Sequence, residues 1–238
     1  MYLELWGYDI GPEALANMFA EHLVWNIFLT STALHAVALI TSPLQAVYKW
    51  YRRQSSDGDV CLPYVCALVG SSLWLRYALF LEDPKLALLQ MYAVSMQSFF
   101  LLLFVYYRTK KKRLVRNLLI GGTVLLLIFY YTQILDYDEA KQFAGRMASG
   151  AQIAGSFVCP YLIYKAVTSG CIDFIPMAPV LFTWIMEIHA IIYSVGIDDF
   201  YMMIANTTFF LMDGSLLAMF FILPTEKPEA EKPKEVIC

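Results

Sequence analysis

Charged residues are scarce in this sequence. Asp, Glu, Lys and Arg together make up 16% of its 238 residues, whereas about 25% is usual in a soluble globular chain. Hydrophobic residues make up 59%, and the mean hydropathy is +0.56. A soluble fold of this size needs more charge to cover its surface. The composition therefore excludes an ordinary soluble domain and indicates an all-α membrane protein.

Several motifs are missing, and each absence excludes a class of function. The five cysteines have no C-x-x-C spacing, so they predict neither a disulfide framework nor a metal site. A net charge of −3 argues against a nucleic-acid partner. Without a P-loop or other cofactor motif, we expect no cofactor and no enzymatic activity. The first 23 residues hold no Lys or Arg, so no secretory signal is expected.

Long apolar segments predict seven transmembrane helices, since about 20 apolar residues cross the hydrocarbon core. The predicted spans are about 24–48, 62–81, 86–107, 117–135, 143–165, 175–196 and 200–223. They divide the chain into a first three-helix repeat (24–107), a basic loop with a linker helix (108–135) and a second three-helix repeat (143–223). An N-terminal segment (1–23) and a disordered tail rich in Pro, Glu and Lys (224–238) flank them.

Lys and Arg residues between the spans predict the orientation. Thirteen of them fall on one side of the membrane and three on the other. The N-terminus is therefore expected on the extracellular or lumenal side, and the C-terminus in the cytosol.

The second and third spans recur as the sixth and seventh. Five positions of the first repeat match five of the second at a constant offset of 116 residues. The first set is Trp74, Tyr77, Asp83, Gln90 and Gln97, and the second is Ala190, Tyr193, Asp199, Asn206 and Asp213. Prolines recur too, in spans one and five and at the start of spans two and six. Since spans one and five run in the same direction, the repeats are parallel and span four is the extra crossing between them.

This 3+1+3 pattern resembles the SWEET family of sugar transporters, which is built from parallel three-helix repeats. The resemblance runs from about Ser42 to Phe221 and rests on SPLQAVYKWYRR, LPYVCALVGSSLWLRY and the IANTT…D stretch after Asp199. It implies passive, bidirectional transport and a homo-oligomer with one pathway per protomer. The sequence departs from the family at Gln90 (Asn in the family), Ala190 (Trp) and Ala205 (Pro).

The resemblance also implies roles for particular residues. Four prolines correspond to the family's hinge tetrad: Pro43, Pro63, Pro160 and Pro176. A proline inside a helix bends it, although Pro63 and Pro176 could equally begin their helices. Tyr77 and Asp199 correspond to a pair that closes the outer mouth, and Tyr193 with Asp83 is the symmetric alternative.

Candidate substrate contacts lie a short way in from the outer face. Asn206 and Gln90 carry amides that suit sugar hydroxyls, although such amides also join helices to each other in membranes. Trp74 offers a flat ring with Gly70 one turn away. The equivalent face of the second repeat is Met186 and Ala190, so we expect a pocket with one aromatic wall. Three intramembrane ionisable residues could carry protons or be structural: Glu187, His189 and Asp213.

The sequence therefore predicts a multi-pass protein of the cell membrane or Golgi membrane that carries a mono- or disaccharide by alternating access. A small repeat transporter for another metabolite, such as an amino acid, is the alternative. A seven-helix receptor is a further alternative, since it shares the topology, but a receptor would have no tandem three-helix repeat.

Overall fold

The computed structural model describes residues 4–5, 8–9, 22–172 and 174–224. The described part is helical apart from two short antiparallel strands, β1 (Glu4–Leu5) and β2 (Tyr8–Asp9). The helices are α1 (Leu23–Thr41), α2 (Leu44–Arg53), α3 (Leu62–Leu81), α4 (Pro84–Tyr106), α5 (Lys111–Ile134), α6 (Tyr137–Ser156), α7 (Val158–Ser169), α8 (Met177–Gly196) and α9 (Phe200–Ile222). The disordered tail predicted from 224 onward lies outside the described residues except for Pro224.

Two of the seven predicted spans are each divided into two helices. The first consists of α1 and α2, which meet at Ser42 and Pro43. The fifth consists of α6 and α7, which meet at Phe157, three residues before Pro160. Pro43 and Pro160 have no N–H to offer the carbonyl four residues earlier, so the α-helical hydrogen bonding stops there. Hydrogen bonds that span three residues instead of four are found there, from Ser42 N–H to the Leu39 carbonyl (3.2 Å) and from Phe157 N–H to the Ala154 carbonyl (3.3 Å).

Six helical segments of the described chain are long and apolar enough to cross a membrane. They are α1 with α2, then α3, α4, most of α5, α8 and α9. The predicted fifth span does not qualify by itself, because its first half, α6, is polar at its start and begins at Tyr137 rather than at 143. The linker helix also begins earlier than predicted, at Lys111 rather than 117.

Aspartates at equivalent positions begin the last helix of each repeat. The Asp83 carboxylate accepts from the backbone N–H of Lys85 (3.0 Å) and Leu86 (3.3 Å). The Asp199 carboxylate accepts from the N–H of Met202 (2.6 Å). A side chain that accepts these otherwise unpaired donors stabilises the start of a helix by about 1 kcal/mol. Both aspartates are thereby fixed at the same end of the bundle.

The helix contacts have the symmetry of two related repeats. Within each repeat, the third helix (α4 or α9) packs against the second (α3 or α8) and against the first. Between repeats, α3 packs against α6, and α1 packs against α8. The second span of each repeat thus contacts the first span of the other, which is what a two-fold axis along the membrane normal produces. Helix α5 contacts α3, α4 and α6.

The largest core cluster lies between α3, α4, α6 and α9. It includes Trp74 and Tyr77 from α3, Ala144 and Ala148 from α6, and Ala205 from α9. Small residues on α6 let the other helices approach closely, which is how helices pack in a membrane without a hydrophobic driving force.

At the opposite end of the bundle, the loop after α2 is tied to the end of α4. Arg108 forms an ion pair with Asp57 (3.3 Å) and donates to the Ser56 carbonyl (2.8 Å). Hydrogen bonds from Thr109, together with the Arg108 charge, lower the pKa of Asp57 below its usual value. Trp50 is fully buried and donates to Asp59 (2.6 Å). These contacts hold the loop between α2 and α3 in place.

Candidate functional site

A cavity of about 610 Å³ lies between the two repeats. Its walls come from α1, α3 and α4 of the first repeat and from α6, α8 and α9 of the second. This volume falls within the range of about 300–1,000 Å³ that is typical of small-molecule sites. Its lining is mostly apolar, with amides, hydroxyls and one carboxylate among the side chains.

Five of the six residues predicted to contact substrate line this cavity: Trp74, Gln90, Met186, Ala190 and Asn206. The sixth, Gly70, is not among the lining residues, although nothing lies within 4 Å of the position that a Cβ there would take. The structure therefore brings together residues from both repeats that are far apart in sequence. Their role in binding stays a prediction.

Gln152 is a polar lining residue that the sequence analysis did not single out. Its Nε2 donates to Oδ1 of Asn206 at 2.7 Å, which joins α6 to α9 beside the cavity. The contact fixes the Asn206 amide, which is 6% exposed, in one orientation. Oδ1 keeps a second lone pair, so the Asn206 amide can still both accept and donate hydrogen bonds. The repeat comparison did not single out Gln152, because the positions that match at the offset of 116 lie on the second and third spans of each repeat and Gln152 lies on the first.

Two tyrosine–aspartate pairs lie across the repeats at one end of the cavity. The Tyr77 hydroxyl donates to Asp199 Oδ2 at 2.5 Å, and the Tyr193 hydroxyl donates to Asp83 Oδ2. Each pair joins the second span of one repeat to the start of the last helix of the other. The sequence analysis had these two pairings as alternatives, and the structure contains both.

Close packing holds both tyrosines. A Cβ added to Gly145 on α6 would lie 2.9 Å from Tyr77 Cε2 and 2.6 Å from Tyr201 Cδ2, so only glycine fits there. The Tyr193 ring stacks on Trp25 with centroids 6.4 Å apart, and Trp25 in turn fills the space beside Gly196.

The four candidate hinge prolines fall into two groups. Pro43 and Pro160 lie at or just after the breaks in spans one and five. Pro63 lies in the first turn of α3, and Pro176 is the residue before α8. The latter two thus occupy the positions of helix-starting prolines, the second interpretation that the sequence left open.

The α1–α8 contact is the other seam between the repeats, and it is lined by aromatic rings and two histidines. His35 stacks on Phe182 with centroids 3.8 Å apart, and the rings of His35 and His189 lie 5.5 Å apart. Phe28 also stacks on His189, at 5.6 Å. Two hydrogen bonds also cross this seam, between His35 Nε2 and the Phe182 carbonyl (3.0 Å) and between the Ser31 hydroxyl and His189 Nε2 (3.5 Å).

Buried acids lie deeper in the second repeat. Asp213 on α9 accepts from the thiol of Cys159 on α7 at 3.0 Å, and both are buried. Glu187 on α8 lines the cavity, and its Oε2 has no hydrogen-bond partner among the described residues. Across the same residues, no group of three His, Cys, Asp or Glu side chains could hold a metal ion.

The fold and the cavity define a class of protein: a multi-pass membrane protein built from two three-helix repeats and a linker helix, with a cavity between the repeats. A solved structure of a eukaryotic SWEET transporter has the same fold, with a TM-score of 0.74 at 19% identity. The match covers 84% of this chain and 98% of that one.

Sequence comparisons agree with the fold. Residues 27–112, which include most of the first repeat, match the MtN3 family model, described as "Sugar efflux transporter for intercellular exchange". The bidirectional sugar transporter N3 of Medicago truncatula is 43% identical over 42 residues, 18% of this chain and 16% of the relative. The bidirectional sugar transporter SWEET17 of Arabidopsis thaliana is 39% identical over 44 residues, 18% of each. Each match thus spans less than a fifth of its relative.

The family match at 27–112 and the shared fold together confirm the resemblance recognised from the sequence: the chain is similar to the SWEET, or MtN3, family. That family consists of membrane transporters rather than enzymes.

Proposed function

We propose that the protein is a bidirectional, passive sugar transporter. The observation that carries this proposal is the cavity between the repeats, lined by Trp74 on one side and by Asn206 and Gln152 on the other. An aromatic ring can stack against the C–H face of a sugar, and amides can exchange hydrogen bonds with its hydroxyls. The relatives' names, which refer to bidirectional sugar transport, support the same substrate class.

The proposed mechanism is alternating access around a single site. When both Tyr–Asp pairs are formed, the repeats are joined at the outer end and the cavity is reached from the cytosolic side. When both pairs break, the outer end opens, and the helices bend at the breaks beside Pro43 and Pro160. The breaks offer flexible points because the regular helical hydrogen bonds are already interrupted there.

The proposal includes no driving ion. A mono- or disaccharide moves down its own gradient in either direction, because the same site is presented to both sides in turn. We propose that the protein works in the cell membrane or the Golgi membrane, with its N-terminus outside and its C-terminus in the cytosol. We also propose that it assembles as a homo-oligomer in which each protomer has its own pathway.

Transport by the purified protein in liposomes tests the substrate class. We expect radiolabelled glucose or sucrose to equilibrate across the liposome membrane, with rates that saturate and are similar for influx and efflux. Labelled amino acids serve as the comparison, since a small repeat transporter for amino acids is the alternative. Uptake of an amino acid with no uptake of either sugar would contradict the proposal.

Binding-site variants connect this transport to the cavity. Trp74→Ala should slow transport in both directions by removing the stacking surface. Ala190→Trp would build a second aromatic wall and should change the preference between mono- and disaccharides. If neither Trp74→Ala nor Ala190→Trp altered the transport of glucose or sucrose, the sugar would have to cross by another route.

A further inference from the structure

Glu187 places a carboxylate in the wall of the cavity. The side chain is 9% exposed, and Oε2 is enclosed without a hydrogen-bond partner among the described residues. Among the described residues, no Lys or Arg nitrogen lies within 4 Å of the Glu187 carboxylate. The ion pair found among them, Arg108–Asp57, lies at the loop between α2 and α3. Within a membrane, a buried carboxylate with nothing to compensate it is costly, and such residues are usually functional.

The surroundings of Glu187 add negative charge and supply no compensating positive charge. Asp213 on the neighbouring helix is 6% exposed, and its partner is the neutral thiol of Cys159. His189, two residues after Glu187, directs its ring nitrogens toward the Ile185 carbonyl and the Ser31 hydroxyl.

Lys85 is the one cationic side chain in the described lining of the cavity. It follows Asp83 by two residues, and Asp83 is bonded to Tyr193. Tyr193 is six residues from Glu187 along α8, about 9 Å at 1.5 Å per residue. Lys85 therefore lies at the end of the cavity that holds the Tyr–Asp pairs. At the depth of Glu187, no fixed positive charge faces the carboxylate.

The same region of the cavity contains groups that could bind a positively charged substrate with several hydroxyls. Ala190 is one turn from Glu187 on the same face of α8, and its small side chain leaves space beside the carboxylate. Trp74 supplies an aromatic ring to the cavity, and ring faces attract ammonium groups. Asn206 and Gln152 supply amides for hydroxyls. A neutral sugar gives the Glu187 carboxyl no counter-charge, whereas an ammonium group on the substrate pairs with the carboxylate and stabilises its charged form.

We propose that Glu187 makes this cavity selective for hydroxylated substrates that carry a protonated amine, of the amino-sugar class. The inference rests on the proposed sugar-transport function, because it refines the substrate of the same cavity. The ammonium group of the substrate pairs with the Glu187 carboxylate, and the remaining hydroxyls contact the amides.

Competition binding to the full-length protein in lipid nanodiscs tests this. Bound labelled glucose is challenged in turn with three unlabelled competitors: glucose, glucosamine and N-acetylglucosamine. In glucosamine an amine replaces one hydroxyl of glucose, and in N-acetylglucosamine that amine is a neutral amide. We expect glucosamine to compete at about tenfold lower concentration than glucose, equivalent to about 1.4 kcal/mol. N-acetylglucosamine should show no such advantage.

The Glu187→Gln variant keeps the shape of the side chain and removes its charge. In this variant the ratio of glucosamine to glucose potency should fall to within about threefold of unity, whatever happens to glucose affinity. Glu139→Gln, a change at an exposed carboxylate on α6, should keep the wild-type ratio.

Two results separate this inference from the function on which it rests. Equal potency of glucose and glucosamine in the wild type overturns the inference and leaves sugar transport standing, and this holds even if Glu187→Gln fails to fold. An unchanged preference in a folded Glu187→Gln protein also overturns it. Absence of binding by all three sugars contradicts both proposals.

Discussion

The Tyr77 hydroxyl donates a 2.5 Å hydrogen bond to Asp199, and this bond joins the first repeat to the second. Asp199 is 6% exposed and at the same time caps α9 through the N–H of Met202. The symmetric bond from Tyr193 to Asp83 lies 116 residues away in each partner. One carboxylate in each repeat therefore both begins a helix and bonds to the other repeat, so breaking the inter-repeat bond leaves the helix start intact.

Removing both hydroxyls should weaken the closed outer end. Hydrogen bonds to charged groups contribute about 1.5–3 kcal/mol, so the double change Tyr77→Phe with Tyr193→Phe should raise the open fraction by at least about tenfold. The measurement is the rate at which a membrane-impermeant maleimide, applied from outside, modifies a cysteine introduced at Ala190 in the cavity. Tyr130→Phe on the exposed face of α5 is the control and should leave the rate unchanged. An unaltered rate in the double variant would mean that these pairs do not close the cavity.

Gly145 allows α6 to pack against the outer tyrosines. Its replacement by alanine would place a Cβ 2.6 Å from Tyr201 and 2.9 Å from Tyr77, and such overpacking costs about 1–3 kcal/mol. We expect Gly145→Ala to lower the melting temperature in detergent. Gly150→Ala is the matched control on the same helix, because nothing lies within 4 Å of that Cβ position. Equal melting temperatures for the two variants would contradict this packing.

The Gln152–Asn206 bond should matter for substrate affinity. Gln152→Leu removes the group that orients the Asn206 amide, so we expect sugar affinity to fall about fivefold to tenfold, near the loss caused by Asn206→Ala. The effects should not add in the double variant, because both changes disrupt the same bond. Gln142→Leu, at an exposed position two to three turns earlier on α6, is the control. Full additivity would indicate that the two amides act separately.

The prolines should differ in their effect on transport. Pro43→Ala and Pro160→Ala would allow regular helical bonds to form across the breaks in spans one and five, which should slow the exchange between inward-open and outward-open states. Pro63→Ala and Pro176→Ala change residues at helix starts and should reduce flux much less. Initial rates of sugar uptake, normalised to the amount of inserted protein, measure this. Equal losses in all four variants would contradict the distinction.

Much of the fold was predictable because it depends on strong sequence signals. The apolar segments place α3 at 62–81, where the structure has it, and the offset of 116 residues pairs Tyr77 with Tyr193 and Asp83 with Asp199. The breaks in spans one and five were less clear, since a proline interrupts a helix at a position that depends on the surrounding packing. The span through α6 and α7 begins six residues earlier than predicted, because Tyr137 and the polar residues after it extend the helix out of the apolar segment.

The site was predictable to the extent that it is repeated. Trp74, Gln90 and Asn206 stand out through the repeat and the family resemblance, and all three line the cavity. Glu187 stands out as an ionisable residue within a predicted span, whereas Gln152 lies on the first span of its repeat, outside the positions that match at the offset of 116. Whether such a side chain points into the cavity or toward another helix depends on how the helices pack, and the sequence does not specify that packing.

Counterflow in liposomes tests the central claim, that one cavity between the repeats serves both sides of the membrane. Liposomes loaded with unlabelled sugar are diluted into a trace of the same labelled sugar, with no ion gradient. The account predicts a transient accumulation of label followed by equal concentrations on both sides, and Asn206→Ala should reduce influx and efflux by the same factor. Sustained accumulation driven by an imposed proton gradient, or a loss confined to one direction, would contradict it.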